Sequence, residues 1–334
     1  MESKEARKSA LEKWLITTIA QPFTLSAMAH DASFRRYYRV STKNMSFVAM
    51  DAPPAQENTA PFMAITRALR QLGLNSPEII GADTQQGFLL ITDFGDTTYL
   101  SALNAQNADP LYQKALQALA VLQGCRAVPD YDIPIFTSDF MWKEWAWHKE
   151  WFAEKFLGLD AATLAPLDAC YEKVVTSATQ QPQVFMHRDY HSGNLMVLPE
   201  QVGILDFQDA FIGPVTYDPV SLLRDCYISW PEADTVRWVR YYWQTLKDQG
   251  MHDASFDTFE RWFDWMGVQR HLKALMTFAR KYVRDHQPQY LPHMPRTLKY
   301  LLSVGDKYSD LMPLRDYLAL RVMPLIKESG LISS

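Results

Sequence analysis

The sequence predicts an α+β chain of two lobes, a β-rich N-terminal lobe followed by a longer, mainly helical lobe. The chain has 334 residues, more than a typical single domain contains. Strand-like runs dominate residues 34–92, whereas most of the chain after residue 98 shows helical spacing of its apolar residues. Residues 93–98 (DFGDTT) form a polar break between the two patterns. We therefore predict an N-lobe over 1–92, a hinge over 93–98 and a C-lobe over 99–334.

The composition excludes several classes of protein. The chain is 48% hydrophobic with a net charge of -5, which is unlike a disordered chain and unlike a nucleic-acid binder with a basic stripe. The apolar stretch 14–20 is too short to span a membrane. The three cysteines are odd in number and form no C-x-x-C pair, so we expect neither zinc nor disulfides. These patterns favour a cytoplasmic protein with no membrane, nucleic-acid or obligate protein partner.

The N-terminal elements follow from alternation and turn chemistry. Polar residues separate two strands, and a helical stretch with one apolar face leads to a hairpin. The predicted strands are 34–40, 46–50, 78–82 and 88–92, and the helix is 61–72.

The C-terminal elements are helices interrupted by three short apolar runs. Helical spacing covers 111–123 and 167–178, four tryptophans fall within 142–156, and residues 232–326 are helical again. The apolar runs are 184–186, 195–198 and 202–205. Asp218-Pro219 is predicted to begin a helix as N-cap and first helical residue.

Residues 183–208 (QVFMHRDYHSGNLMVLPEQVGILDFQ) carry the chemistry. Asp189 precedes Asn194 by five residues, and two apolar runs then lead to Asp206. Phosphoryl transfer needs a carboxylate at the attacking hydroxyl and oxygen ligands for the Mg²⁺ that bridges the phosphates. On one tight loop, Asp189 can supply the carboxylate and Asn194 an oxygen ligand for the metal. Asp206 can supply a second ligand. The alternative is a pair of polar turns in an unrelated α+β enzyme.

The same residues resemble the catalytic and metal-binding loops of the aminoglycoside phosphotransferase-like kinases. The matching strings are His187-Arg188-Asp189…Asn194 and Asp206-Phe207-Gln208. The resemblance implies a bilobal protein-kinase-like fold, ATP as donor with GTP possible, and Mg²⁺. It also implies that Asp189 is the catalytic base and that Asn194 and Asp206 hold the metal. His191 has two interpretations, a substrate contact or a structural hydrogen bond.

A second segment of the chain has the same residues as the protein-kinase metal-binding motif. Asp93-Phe94-Gly95 matches the protein-kinase motif but precedes Asp189, whereas the metal aspartate must follow the catalytic loop. We predict that this segment is the hinge, where backbone groups near Leu90 and Asp93 recognise adenine.

The phosphate-binding part departs from the familiar pattern. The sequence lacks G-x-x-x-x-G-K-[ST] and any G-x-G-x-x-G before Phe34, and Val-Ala-Met-Asp over 48–51 stands where kinases carry V-A-I-K. With the lysine missing, Ser33, Arg35 and Arg36 are the candidates for phosphate contacts, against the alternative that the arginines are merely solvated. The missing lysine also admits a nucleotide-binding pseudokinase module, which the retained Asp189, Asn194 and Asp206 oppose.

Three longer strings narrow the resemblance. SFRRYYRV, VAMDAPP and GPVTYDPVSLLRDCYISWP resemble a subgroup of this kinase family, the anomeric N-acetylmuramate/N-acetylglucosamine kinases of cell-wall recycling. That resemblance implies a small-molecule sugar as substrate and its anomeric hydroxyl as acceptor. The alternative is an aminoglycoside or other small-alcohol kinase, although a polycationic substrate would require a strongly acidic pocket.

Substrate contacts are predicted from residue chemistry. Trp147 and Trp151 lie four residues apart and could stack on a sugar ring, whereas an ordinary buried helix face explains most of the other aromatic residues around them. Arg224 and Asp225 could bind sugar hydroxyls or a carboxylate. The basic residues within 270–284 are expected to form a solvated helix face, with an anion-binding pocket as the alternative.

Overall fold

The computed structural model describes residues 3–28 and 34–331, which form two compact units. The first unit comprises Met1–Thr98, Ala127–Asp132 and Leu195–Asp209, and the second comprises Tyr99–Arg126, Ile133–Asn194 and Ala210–Ser334. None of the helices in the described ranges combines the length and the apolar run that a bilayer crossing requires.

The first unit is built on a five-stranded antiparallel sheet in the order β1-β2-β3-β5-β4. Helix α1 packs on this sheet because Leu11 and Leu15, one turn apart, are fully buried against Tyr38, Val40 and Ala49. The elements are α1 Lys4–Ile19, β1 Thr24–Ala27, β2 Arg36–Ser41, β3 Ser46–Asp51, α2 Ala60–Gln71, β4 Ile79–Asp83, β5 Phe88–Thr92, β7 Leu195–Val197 and β8 Val202–Ile204.

The β7–β8 hairpin belongs to the first unit, although it is distant in sequence. Its backbone is hydrogen-bonded at both strands, from Ile204 N to Asn75 O (2.9 Å) and from Val197 N to Thr97 O (2.9 Å). A Cβ on Gly203 would lie 2.9 Å from the Phe94 ring, so glycine permits this close packing. The predicted division at residue 98 does not place this hairpin with the N-terminal elements. Backbone hydrogen bonds between segments far apart in the chain connect the hairpin to them.

The second unit is mainly helical, with one short sheet of β6 and β9. Its α-helices and strands are α3 Tyr99–Ala102, α4 Ala108–Gln123, α5 Ser138–Trp147, α6 Asp168–Thr179, β6 Gln183–Met186, β9 Phe211–Pro214, α7 Tyr217–Leu223, α8 Glu232–Asp248, α9 Phe256–Val283, α10 Met294–Lys307, α11 Met312–Tyr317 and α12 Met323–Glu328. Segments of π-helix are His148–Phe156 and Leu318–Val322, and 3₁₀ segments are Ala161–Leu167, Ser192–Asn194, Pro288–His293 and Ser309–Leu311.

Helix α9 is the central element of the second unit. Ser255 caps it by accepting a hydrogen bond from Thr258 N (3.2 Å), which satisfies one of the donors left open at a helix start. Its middle is buried on nearly every side, including the polar residues Asp264, Gln269 and Arg270. Buried charges need partners, so this helix brings ionic groups into the interior.

Most of the predicted elements are confirmed, and two strands were missed. The four predicted N-terminal strands correspond to β2, β3, β4 and β5, and the three apolar runs correspond to β6, β7 and β8. The short strands β1 and β9 were not predicted. The prediction that Asp218 is an N-cap is wrong, because α7 begins at Tyr217 and the carboxylate of Asp218 accepts hydrogen bonds from a different segment.

Candidate active site

The loop that follows β6 is held by a buried carboxylate. Asp218 is fully buried and accepts hydrogen bonds from the backbone N–H groups of His187 (2.7 Å) and Arg188 (2.9 Å). Arg188 has φ 78°, a left-handed conformation that a residue with a side chain adopts at a cost. Burial raises the pKa of Asp218 to about 7, while the two N–H donors act in the opposite direction. Asp218 therefore anchors the backbone immediately before Asp189.

Asp189 lies among positive charges. Its side chain is 31% exposed, and Oδ1 lies 3.4 Å from Nζ of Lys273 on α9, whose side chain is 14% exposed. Burial raises the pKa of Asp189, but the charges of Lys273, His191, Arg270 and Arg188 outweigh it and hold the pKa well below its usual range. Asp189 is thus an ionised carboxylate at neutral pH, able to accept a proton or a hydrogen bond.

Asn194 and His191 close the same loop. The Asn194 amide donates to the Asp189 carbonyl oxygen (3.0 Å), and Gly193 N donates to His191 Nδ1 (3.2 Å). The His191 ring also contacts Tyr227 edge-on, with centroids 5.3 Å apart. These contacts give His191 a bracing role within the loop, which favours the structural interpretation of this residue.

Asp225, two residues after the end of α7, supports the same loop. Its carboxylate accepts hydrogen bonds from Ser192 N (2.9 Å) and Tyr227 N (2.9 Å), and the residue is 1% exposed. Both oxygens have partners inside the fold. The structure therefore brings Asp225 to the loop of Asp189 and Asn194 as a support of its backbone.

Asp206 belongs to the first unit and directly follows the β7–β8 hairpin. It has φ 63°, a second strained backbone position, and its Oδ1 accepts a hydrogen bond from Gln208 Nε2 (2.7 Å). The next residue, Phe207, is buried and stacks on Phe62, with centroids 5.0 Å apart. Burial raises the pKa of Tyr37 to about 12, with the charge of Asp206 among the contributing causes. The carboxylate thus lies two residues beyond the end of β8, beside the buried Phe207.

The predicted phosphate ligands have carboxylate partners. Arg35 pairs with Glu57 (3.1 Å), and Arg36 pairs with Asp51 (3.2 Å). Asp51, which stands in place of the kinase lysine, is fully buried and is also bound by Arg7 of α1. The charge pattern at this position is therefore reversed, an aspartate held by two arginines. Ser33 lies outside the described residues.

The predicted adenine contacts lie at the end of the sheet. Leu90 is 1% exposed and sits within β5, opposite Ala49 and Gly81. The Asp93 carboxylate accepts hydrogen bonds from Arg39 Nε (2.7 Å) and Gly95 N (2.9 Å). Burial raises the pKa of Asp93, and these bonds outweigh it and lower the pKa. The Asp93 side chain thus stabilises the turn that follows β5.

The predicted substrate cation, Arg224, is engaged inside the second unit. Its side chain is 6% exposed and pairs with Asp264 (2.8 Å) and Glu232 (2.8 Å). Trp147 and Trp151 are partly exposed, and each has a lysine over its ring, Lys143 and Lys155 respectively. The structure gives all three predicted contacts partners of their own.

Two important residues escaped the sequence prediction. An Asp-Pro pair at a helix start predicts a cap for Asp218, because the local sequence is the same when the aspartate anchors another segment. Lys273 lies within the basic stretch that is predicted to be solvated. Only its spacing on α9, where every third or fourth residue shares a face, could have singled it out.

A family model described as the phosphotransferase enzyme family matches residues 24–256. The chain belongs to this family. It is 41% identical to an N-acetylmuramate/N-acetylglucosamine kinase of Pseudomonas putida over 89% of this chain and 88% of the relative. It is 38% identical to the protein of the same name from Pseudomonas aeruginosa, over 95% and 97% of the two chains. The predictions of a phosphotransferase and of a resemblance to this subgroup are confirmed.

Solved structures agree on the fold. An ADP-bound aminoglycoside phosphotransferase superposes with a TM-score of 0.61 at 14% identity, covering 87% of this chain and 97% of that one. A choline kinase from Streptococcus pneumoniae superposes with a TM-score of 0.64 at 13% identity, covering 89% and 99%. The predicted α+β, protein-kinase-like fold is confirmed.

Proposed function

We propose that this phosphotransferase is a sugar kinase that transfers the γ-phosphate of ATP to the anomeric hydroxyl of N-acetylmuramate or N-acetylglucosamine. The observation that carries the proposal is the similarity to curated kinases of these two sugars along nearly the whole length of both chains. The aminoglycoside and choline kinase structures, at 13–14% identity, share the fold alone.

In the proposed reaction Asp189 acts on the acceptor. Its carboxylate accepts the hydrogen bond of the sugar hydroxyl, which directs an oxygen lone pair at the γ-phosphorus. A bond forms between that oxygen and phosphorus, and the bond from phosphorus to the β–γ bridging oxygen breaks. The proton passes to Asp189 and then to solvent, and ADP leaves. Because the pKa of Asp189 is lowered, its larger contribution is orientation of the hydroxyl.

The nucleotide and metal complete the proposal. An ADP-bound relative of the same fold supports ATP as donor, with GTP as an alternative. We assign Mg²⁺ to Asn194 and Asp206, because carboxylate and amide oxygens are ligands that this ion accepts. No cluster of three or more His, Cys, Asp or Glu side chains suited to a metal occurs in the described ranges. When bound, Mg²⁺ would neutralise charge on the phosphates.

The remaining nucleotide contacts are also proposed. Backbone groups near Leu90 and Asp93 are assigned to adenine, and Ser33, Arg35 and Arg36 to the phosphates. Since both arginines already pair with carboxylates, phosphate binding there would replace or share those partners.

The test is nucleotide consumption with three acceptors in the presence of Mg²⁺: N-acetylglucosamine, its 1-O-methyl glycoside, and kanamycin. The free sugar should react, and the glycoside should be inert as substrate and act as a competitive inhibitor, since its acceptor oxygen is blocked. A glycoside that reacts as fast as the free sugar would place the acceptor elsewhere on the ring. Turnover of kanamycin alone would make the chain an antibiotic kinase, and nucleotide binding with no turnover of any acceptor would make it a pseudokinase.

A further inference from the structure

Arg280 is a half-buried cation that makes no direct ion pair within the described residues. Its Nε atom is enclosed by protein and has no hydrogen-bond partner, and its guanidinium forms no ion pair with any residue in the described part of the chain. By contrast Arg284, which follows the last residue of α9, pairs with Asp285 (2.7 Å). Burial lowers the pKa of Arg280, and the charges of Arg284 and Arg188 act in the same direction, while the charge of Asp285 acts against them. Buried N–H donors ordinarily have a hydrogen-bond partner, so the Nε–H group of Arg280 is an unused donor.

The position of Arg280 relates it to the acceptor carboxylate Asp189. Lys273, which contacts Asp189, lies seven residues earlier on α9, and residues seven apart share one face of a helix. The Cα atoms of two such residues are about 10 Å apart along the axis. Helical side chains lean toward the N-terminus, which brings the Arg280 guanidinium back toward Lys273. The positive charge of Arg188 also lowers the pKa of both Lys273 and Arg280.

The two proposed acceptors differ in charge. N-acetylmuramate carries a carboxylate on an ether at C3, two ring atoms from the anomeric carbon, whereas N-acetylglucosamine has a neutral hydroxyl there. Lys273 already pairs with Asp189, and Arg224 is occupied by Asp264 and Glu232. Arg280, displaced along α9 from Asp189, has the right charge and an unused donor.

We propose that Arg280 forms an anion-binding subsite that recognises the carboxylate of N-acetylmuramate. The subsite rests on the proposed function for the placement of the sugar over Asp189. N-acetylglucosamine has no carboxylate, so this sugar binds without an anion at Arg280.

The decisive measurement is calorimetric binding of N-acetylmuramate and of its methyl ester, which differ in the charge of this one group. With ADP and Mg²⁺ present, the wild type should bind the acid about 10- to 100-fold more tightly than the ester, the range expected for a charge-assisted hydrogen bond. Arg280→Gln should abolish that difference while leaving the affinity for the ester within about threefold. Arg280→Lys, which keeps the charge but loses the planar donor pair, should retain part of it.

Arg284→Gln is the matched control, because it removes the same charge four residues later, just after the end of α9, and should keep the preference for the acid. A wild type without that preference, or an Arg280→Gln variant that retains it, would overturn the subsite. Equal losses in Arg280→Gln and Arg284→Gln would also overturn it, in favour of a diffuse positive potential. Thermal unfolding of each variant establishes that it is folded. Because this assay measures binding, a chain that binds the acid through Arg280 but phosphorylates neither sugar refutes the proposed function and leaves the subsite standing.

Discussion

Asp218→Asn tests how the candidate catalytic loop is held. The carboxylate accepts two backbone N–H groups, at 2.7 and 2.9 Å, each of which is worth about 1.5–3 kcal/mol when the acceptor is charged. The amide keeps one acceptor oxygen and turns its NH₂ group toward the other N–H. Removal of a buried charge offsets part of the loss, and we expect a net destabilisation of about 2 kcal/mol. The strained Arg188 backbone then loses one of its restraints, and kcat should fall about tenfold or more.

The assay is urea unfolding at several pH values together with steady-state kinetics. Burial raises the pKa of Asp218 to about 7, above its unfolded value of about 4. The folded protein therefore holds this proton more tightly, and the resulting stabilisation, complete below about pH 4, is lost as the pH rises through about 7. The unfolding free energy should fall more between pH 5 and 8 in the wild type than in Asp218→Asn. Asp253→Asn, at an exposed position, is the control. A change of less than about 0.5 kcal/mol in Asp218→Asn, the range of ordinary surface substitutions, would refute the anchoring role.

Three further predictions concern the proposed chemistry. Asp189→Asn should lower kcat by about two to four orders of magnitude while nucleotide affinity, measured by calorimetry, stays near that of the wild type; retention of more than about a tenth of the wild-type turnover would exclude it as the base. Lys273→Met should move the acid limb of the kcat/KM profile to higher pH by about one pH unit or more, because the cation 3.4 Å away lowers the pKa of Asp189. Lys273→Arg should restore the wild-type position of the acid limb. An acid limb that does not move in Lys273→Met would contradict the coupling. Asp206→Ala and Asn194→Ala should each raise the Mg²⁺ concentration needed for half-maximal activity. Asp93→Ala should leave that concentration unchanged and lower Tm, because Arg39 loses one of its two carboxylate partners and keeps only Asp96. The reverse order in a Mg²⁺ titration would assign the metal to Asp93.

Local sequence is sufficient to predict which side chains lie together when those residues are close neighbours in the chain. Asp189 and Asn194 share a loop only six residues long, so their spacing alone places them together, and the structure shows the Asn194 amide on the Asp189 carbonyl. The order of the motifs likewise predicts Asp206, and not Asp93, as the metal ligand, and the Mg²⁺ titration above tests that prediction. In the structure the Asp93 side chain is bound by Arg39 and the following turn, as a structural residue would be.

Charged side chains were the least predictable part of the site. Arg224 was chosen as the cation for an acidic sugar because arginine suits a carboxylate, but the chain itself supplies Asp264 and Glu232 as partners. Arg35 and Arg36 are paired with Glu57 and Asp51 in the same way. A sequence shows how many charges are present without showing which of them neutralise one another, because ion pairs form between segments far apart in the chain.

Periodicity, turn residues and short spacings along the chain are enough to predict the α+β succession of strands and helices, the kinase-like loops and the family. The electrostatic surroundings of those loops, by contrast, follow from the tertiary structure. Lys273 reaches Asp189 across 84 positions, and Asp218 anchors His187 from 31 positions away. The physical reason is that burial makes each charge depend on the few groups within hydrogen-bonding distance, and folding alone selects those groups.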